Sequence, residues 1–185
     1  MTKQISDTLI YKENEYYLNN EILEYYFREF PDKKPEIKGV MTACWRGYIA
    51  TFEILNNELK IKEIDWLIFG NQSVNDEVYP FSNGDTYSWF SGFIRIDLFK
   101  GEFDDEKDEN GIYELLEIRE GNLVEHWKFT YSEFLEFKEV LFSLFIETED
   151  YKKLFKQWEE RNPGITKERI NQLIFDRIVS NVRKI

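Results

Sequence analysis

Tyr48-Ile49-Ala50-Thr51-Phe52-Glu53-Ile54-Leu55-Asn56-Asn57-Glu58-Leu59-Lys60-Ile61-Lys62-Glu63-Ile64 alternates apolar and polar side chains on both sides of an Asn-Asn pair. Period two is the signature of a half-buried strand, and asparagine tolerates the positive φ angles of a type I′ turn, so the stretch reads as one β-hairpin. A two-residue loop at Asn56-Asn57 pairs Leu55 with Glu58, Ile54 with Leu59 and Phe52 with Ile61. Tyr48, Ala50, Phe52, Ile54, Leu59 and Ile61 then share a core face, while Glu53 opposite Lys60 and Thr51 opposite Lys62 face water. A cross-strand Glu53 to Lys60 pair is worth only about 0.2–1 kcal/mol, so burial of Phe52 and Ile54 must set the register.

Outward from this hairpin the same patterning continues. Leu9–Tyr11 and Glu15–Leu18 alternate around Glu13-Asn14 and predict a short opening hairpin. Asn19 or Asn20 is placed to cap a helix carrying Leu23, Tyr26, Phe27 and Phe30 at helical spacing, and Pro31 ends it. Residues 32–40, with two prolines and mixed charge, read as a surface connection, and the middle of residues 65–87 reads as loop. Trp89–Leu98 returns to strand, with Ile94, Ile96 and Leu98 on one face and Phe93, Arg95 and Asp97 on the other. Ile112–Ile118 and Leu123–Phe129 flank Glu120-Gly121-Asn122 and predict a further hairpin.

At Thr130 the period changes. Thr130 with Glu133 forms a capping box, and Phe134, Phe137, Leu141, Leu144 and Phe145 mark one apolar stripe. A second helix from Thr148 is expected to bury Tyr151, Leu154, Phe155 and Trp158, until Asn162-Pro163-Gly164 breaks it. A third runs from Thr166 to about Val182, with Ile170, Leu173, Ile174, Ile178 and Val182 inward. Strands followed by helices predict an α+β fold: an antiparallel sheet built from hairpins, a short N-terminal helix, and three C-terminal helices packed on one face or end. At 185 residues the chain is expected to be a single domain, with residues 1–129 the sheet body and 130–185 the helical portion.

Charge is unevenly spread. Residues 63–125 hold 16 acidic side chains against 4 basic, and residues 151–185 hold 9 basic against 4 acidic. Phosphate backbones repel such an acidic body, so nucleic acid is not the expected partner. No apolar run approaches the roughly 18 residues a membrane helix needs. Met1–Asp7 carries no apolar signal region, and the single cysteine, Cys44, cannot form an internal disulfide. The expected location is the cytoplasm.

Candidate chemistry is sparse. Glu106-Lys107-Asp108-Glu109-Asn110-Gly111 with Glu117 matches a calcium loop at several positions, but Glu106 replaces the usual leading Asp and the flanks read as strand. The stretch is read as a solvated acidic turn, with no metal bound. His126 is the only histidine, so any triad or His-metal site must include it, and no zinc spacing exists around it. A strand position between Glu125 and Trp127 favours sheet packing for His126, and a buried structural thiol is the preferred reading of Cys44 over a nucleophile paired with His126. Asp65 beside Trp66, and Asp97 near Trp89, set acids next to aromatic platforms of the kind sugars use, but chance adjacency is common at this composition. The glycines are isolated, without a phosphate-binding loop.

Trp45-Arg46-Gly47 enters the main hairpin with a large ring, a fixed charge and a flexible residue. It reads either as a recognition hot spot or as a structural turn in which Arg46 pairs with an interior carboxylate and Gly47 forms a bulge. The string Cys44-Trp45-Arg46-Gly47-Tyr48-Ile49-Ala50-Thr51-Phe52-Glu53-Ile54 with its hairpin partner, and Trp89-Phe90-Ser91-Gly92-Phe93-Ile94-Arg95-Ile96, resemble an uncharacterised family of small bacterial proteins. That resemblance implies no activity or catalytic residue. In acidity and size the chain is also similar to bacterial immunity proteins, which neutralise toxins.

The expected function is therefore a non-enzymatic acidic protein that docks a basic protein partner, without cofactors. Its partner-binding candidates are Glu102, Asp104, Asp105, Glu106, Asp108 and Glu109 of the acidic loop, with Trp45 and Arg46. The alternative is a small-molecule or carbohydrate-binding protein, or a hydrolase, with an aromatic and carboxylate cleft.

Overall fold

The computed structural model describes residues 4–18, 21–34, 42–66, 88–96 and 109–182. Among the described residues seven strands form one mixed sheet, β1 (Asp7–Tyr11), β2 (Asn14–Leu18), β3 (Tyr48–Leu55), β4 (Glu58–Trp66), β5 (Gly92–Arg95), β6 (Tyr113–Arg119) and β7 (Asn122–Phe129). Helix α1 (Ile22–Glu29) lies between β2 and β3, and α2 (Tyr131–Phe145), α3 (Glu149–Arg161), α4 (Lys167–Asp176) and α5 (Ile178–Asn181) follow the sheet. The fold is α+β.

The strand order is β2-β1-β3-β4-β7-β6-β5. One junction departs from the antiparallel expectation: β1 runs parallel to β3, pairing Leu9 with Phe52 and Tyr11 with Ile54. Parallel neighbours need a crossover, and the stretch holding β2 and α1 supplies it. The other strand pairs are antiparallel.

The main hairpin has the expected turn, with Asn56 at φ 54° and Asn57 at φ 65°. Its register matches from Leu55↔Glu58 to Phe52↔Ile61, and then slips so that Thr51 faces Glu63 instead of Lys62. Strict alternation beyond Ile61 would carry Glu63 into the core and Ile64 out of it. The bulge reverses this, and Ile64 is fully buried across from Ala50. Ile61 is only half-buried. On the outer face Glu53 pairs with Lys62 at 3.5 Å, whereas Lys60 is half-buried and reaches Glu58 at 3.0 Å. The opening hairpin turns at Lys12-Glu13, one residue earlier than expected.

The two large hairpins meet at their turns. Glu58↔Asn122 is the register pair between β4 and β7, with Leu59 N donating to Gly121 O and Leu123 N to Asn57 O, both at 2.7 Å. Two cores flank the sheet. One buries Leu9, Ile22, Leu23, Phe27, Phe52, Leu59 and Ile64 against α1, and it also takes Ile94, Leu116 and Ile118. The other sets Tyr113 and Leu115 against Phe134, Leu141, Phe145, Ile170, Ile174 and Ile178 of the helices. β6 is thus apolar on both sides because each side meets a different layer.

Several expected elements shift. β5 is confined to Gly92–Arg95, since Ser88 and Trp89 lie in a turn. The Asn19 and Asn20 cap lies outside the described residues, and the N-cap position before Ile22 is Glu21, which makes no side-chain cap bond. Phe30 is exposed because it stands past the last helical turn of α1. The Thr130 and Glu133 capping box is present. In α2, Leu144 is exposed and Lys138 takes the core position. Tyr151, Leu154, Phe155 and Trp158 are half-buried, because α3 is covered chiefly by α4. The third helix breaks at Arg177, and α5 turns to press on β5.

Candidate functional site

The Trp45-Arg46-Gly47 segment forms a turn closed by Gly47 N donating to Cys44 O at 3.2 Å, with Gly47 at φ 75°. The turn sends its two large side chains opposite ways. Trp45 is 71% exposed, whereas Arg46 is 9% exposed and Asp7 not at all. Arg46 Nη1 donates to Asp7 Oδ2 at 2.7 Å and Nη2 to Ile5 O at 2.7 Å, while Ala50 N donates to Asp7 Oδ1 at 2.8 Å. Burial pushes Asp7 up to about 6, against the opposing pull of Arg46 and the Ala50 N–H. Burial alone would lower Arg46, but the Asp7 carboxylate raises it, so the guanidinium stays charged. It also lies over the Tyr48 ring, whose hydroxyl donates to Glu24 Oε1 at 2.9 Å, and Lys34 donates to the same oxygen at 2.7 Å. Arg46 therefore ties β1 to the entry of β3 as an interior ion pair, and of the two neighbours only the Trp45 ring faces solvent.

Of the acidic loop candidates, Glu102, Asp104, Asp105, Glu106 and Asp108 lie outside the described residues, and Glu109 is exposed in a turn before β6. Glu117, the last position of the calcium-like spacing, sits in β6 with both oxygens engaged. Oε1 takes Arg119 Nε at 2.8 Å and Oε2 takes the Trp127 indole N–H at 3.1 Å. Among the described residues no group of three or more histidines, cysteines and carboxylates is placed to hold a metal. Asp65 is exposed, while Asp97 and the Trp66 side chain lie outside the described residues.

His126 and Cys44 have separate partners. His126 Nε2 lies 2.6 Å from Glu114 Oε2, and its ring meets Tyr11 edge-on at 5.8 Å. Lys128 donates to Glu114 Oε1 at 3.0 Å. Partial burial raises Glu114, but the bonds from Lys128 and His126 outweigh it and hold the carboxyl below its usual range. Cys44 is buried, and its thiol donates to Tyr48 O at 3.1 Å. His126 is thus engaged by Glu114 and the Cys44 thiol by the Tyr48 carbonyl.

Two surfaces remain. A groove of about 960 Å³ is lined by Trp89, Ser91, Arg119, Glu120, Asp150 and Val182, among others. The outer face of α2 is the other. Val140 is 58% exposed and Leu144 48%, beside exposed Glu136, Glu139 and Glu147. Lys138, the only cation of α2, points inward, donating to Asp176 O at 3.2 Å and lying over the Phe175 ring. α3 differs, because Lys152, Lys153 and Lys156 pair with Glu149, Asp150 and Glu160 along its own surface. The α2 face is concealed in the sequence, because a lysine at a core position hides the true phase of the stripe.

Compared with protein-family models, with curated proteins and with solved structures, the chain matches none.

Proposed function

We propose that this protein is a non-enzymatic acidic binding protein, working in the cytoplasm, that docks a basic protein partner in the way an immunity protein docks a toxin. The observation that carries the reading is the α2 face. Its carboxylates at Glu136 and Glu139 have no ion-pair partner among the described residues, while its lysine is turned inward. Unneutralised carboxylates beside apolar surface cost self-repulsion, and an opposite charge on a partner relieves it. No helix among the described residues is long and apolar enough to cross a membrane, which accords with a partner met in solution.

The test is cross-linking in native cytosol, followed by association kinetics with the purified partner. A partner of net positive charge is expected, with an association rate that falls about tenfold or more as salt rises through the range where the Debye length drops below 10 Å. Glu136→Lys/Glu139→Lys should slow association at low salt and leave the melting temperature unchanged. A partner whose association ignores both salt and the charge reversal overturns the reading. The groove supports a second reading, since Trp89 with Glu120 and Asp150 is a lining sugars use. A panel of oligosaccharides that raises the melting temperature would transfer the conclusion there.

A further inference from the structure

Trp127 lies on β7, opposite Leu115 of β6, and is 39% exposed. An exposed indole is ordinarily mobile, but this one is fixed twice. Its N–H is held by Glu117, whose other oxygen is held by Arg119. Its ring stacks on Phe129 with centroids 6.0 Å apart and planes 6° apart, and Phe129 stacks in turn on Phe137 of α2 at 5.0 Å. From Phe137 the spacing of three and then four residues carries the apolar strip along α2 through Val140 to Leu144. The strip runs roughly 20 Å from Trp127 to Leu144, counting the two stacks and seven helical residues, which is about the length of a four-turn helix.

We propose that this strip is a docking surface for an amphipathic helix of a basic partner, with Trp127 as its anchor. The proposal rests on the acidic-binding reading above and names the partner element that the reading leaves open. Charge complementarity selects the occupant. Glu125 flanks the tryptophan end, and Glu136, Glu139 and Glu147 flank the helix end, all exposed. A second copy of this chain would set those carboxylates against one another, whereas lysines or arginines bordering a helix's apolar face would meet them. Because the indole is already held by Glu117 and Phe129, binding loses little side-chain entropy there, and tryptophan is among the residues that most often dominate binding energy once desolvated.

The probe is a synthetic amphipathic helix of roughly 18 residues, lysine on one face and leucine on the other, titrated while the Trp127 indole N–H resonance and backbone amide shifts are followed. A scrambled peptide of equal composition is the control. The expected result is a shift confined to β7 and α2, at least tenfold weaker binding in Trp127→Ala and in Val140→Ser/Leu144→Ser, and weak binding of the scrambled peptide. If both peptides bind equally and only Glu136→Lys/Glu139→Lys weakens them, the strip is refuted and the acidic reading stands. If the ordered peptide fails to bind while the cytosolic partner of the preceding experiment still associates, the helix is the wrong occupant and the inference fails alone. Sedimentation that finds a dimer lost in Val140→Glu overturns it in favour of self-association.

Discussion

Replacing Arg46 by methionine is expected to destabilise the protein by about 3–5 kcal/mol near neutral pH, because it leaves the buried Asp7 with a single remaining donor, the Ala50 N–H, so that its carboxyl must either stay charged without its partner or take up a proton. Methionine keeps the apolar stem but supplies neither the 2.7 Å bond to Asp7 nor the one to Ile5 O. The second perturbation separates charge from packing. Asp7→Asn/Arg46→Met removes both charges and keeps an acceptor for Ala50 N, so it should recover all but about 1–2 kcal/mol of the loss. Urea melts followed by tryptophan fluorescence read both variants on one scale. A double variant no more stable than Arg46→Met alone refutes the reasoning, since the single loss would then come from packing.

The same pair fixes a pH signature. Asp7 is raised in the folded protein to about 6 from an ordinary value of 3.8, so the folded state holds this proton more tightly than the unfolded one. Its contribution to stability is fully present below the unfolded value and is lost as pH rises through about 6, on the order of 3 kcal/mol from this group. Arg46 opposes the rise, so Arg46→Met moves Asp7 higher still and extends the loss to more alkaline pH. The gap between wild type and Arg46→Met should therefore be wide near about pH 8 and narrow toward about pH 5. A gap that does not change with pH sinks the account.

Phe52→Ala should cost about 3–5 kcal/mol in the same melts and Lys62→Ala less than about 0.5 kcal/mol, and equal costs would mean the hairpin register is wrong. Gly92 lies at φ +154°, where a methyl would meet Val182 O at 3.2 Å, so Gly92→Ala should lower the melting temperature through about 1–3 kcal/mol of strain. Thr130→Ala removes the capping box of α2 and should cost about 1 kcal/mol. Calorimetric titration with calcium should show no site tighter than about 10⁻⁴ M, because Glu117 already serves Arg119 and Trp127; a tighter site abolished by Glu117→Gln would reverse that conclusion.

The hairpins and helix starts were legible because each rests on local chemistry. Asn56-Asn57 accepts positive φ at two successive residues, and Thr130 with Glu133 satisfies orphan N–H groups wherever the helix ends up packing. The bulge at Thr51/Phe52 was not legible, since it depends on Ile64 being buried opposite Ala50, which is a tertiary fact. The parallel β1–β3 pairing was hidden for a related reason. Alternation in Leu9–Tyr11 states which face is apolar but not which neighbour covers the strand edge. The sequence around Arg46 fits both surface and interior, because its partner Asp7 lies 39 residues away.

The face of α2 was concealed by a conflict between charge and period. Phe134, Lys138, Leu141 and Phe145 are its buried positions, a regular helical series in which the second member is charged. A reading by hydrophobicity skips Lys138 and substitutes Leu144, which rotates the stripe toward solvent. The lysine fits because its stem lies among Phe134 and Phe175 while its ammonium reaches the Asp176 carbonyl near the end of α4. Two consequences follow from that one substitution of roles. The helix loses its own single cation as a partner for Glu136 or Glu139, and it gains an exposed Leu144 beside Val140. Net charge alone could not have located this surface, because α3 is also rich in carboxylates yet neutralises them through its own lysines. An uncompensated acidic surface is set by where the cations go, and on α2 the cation goes inside.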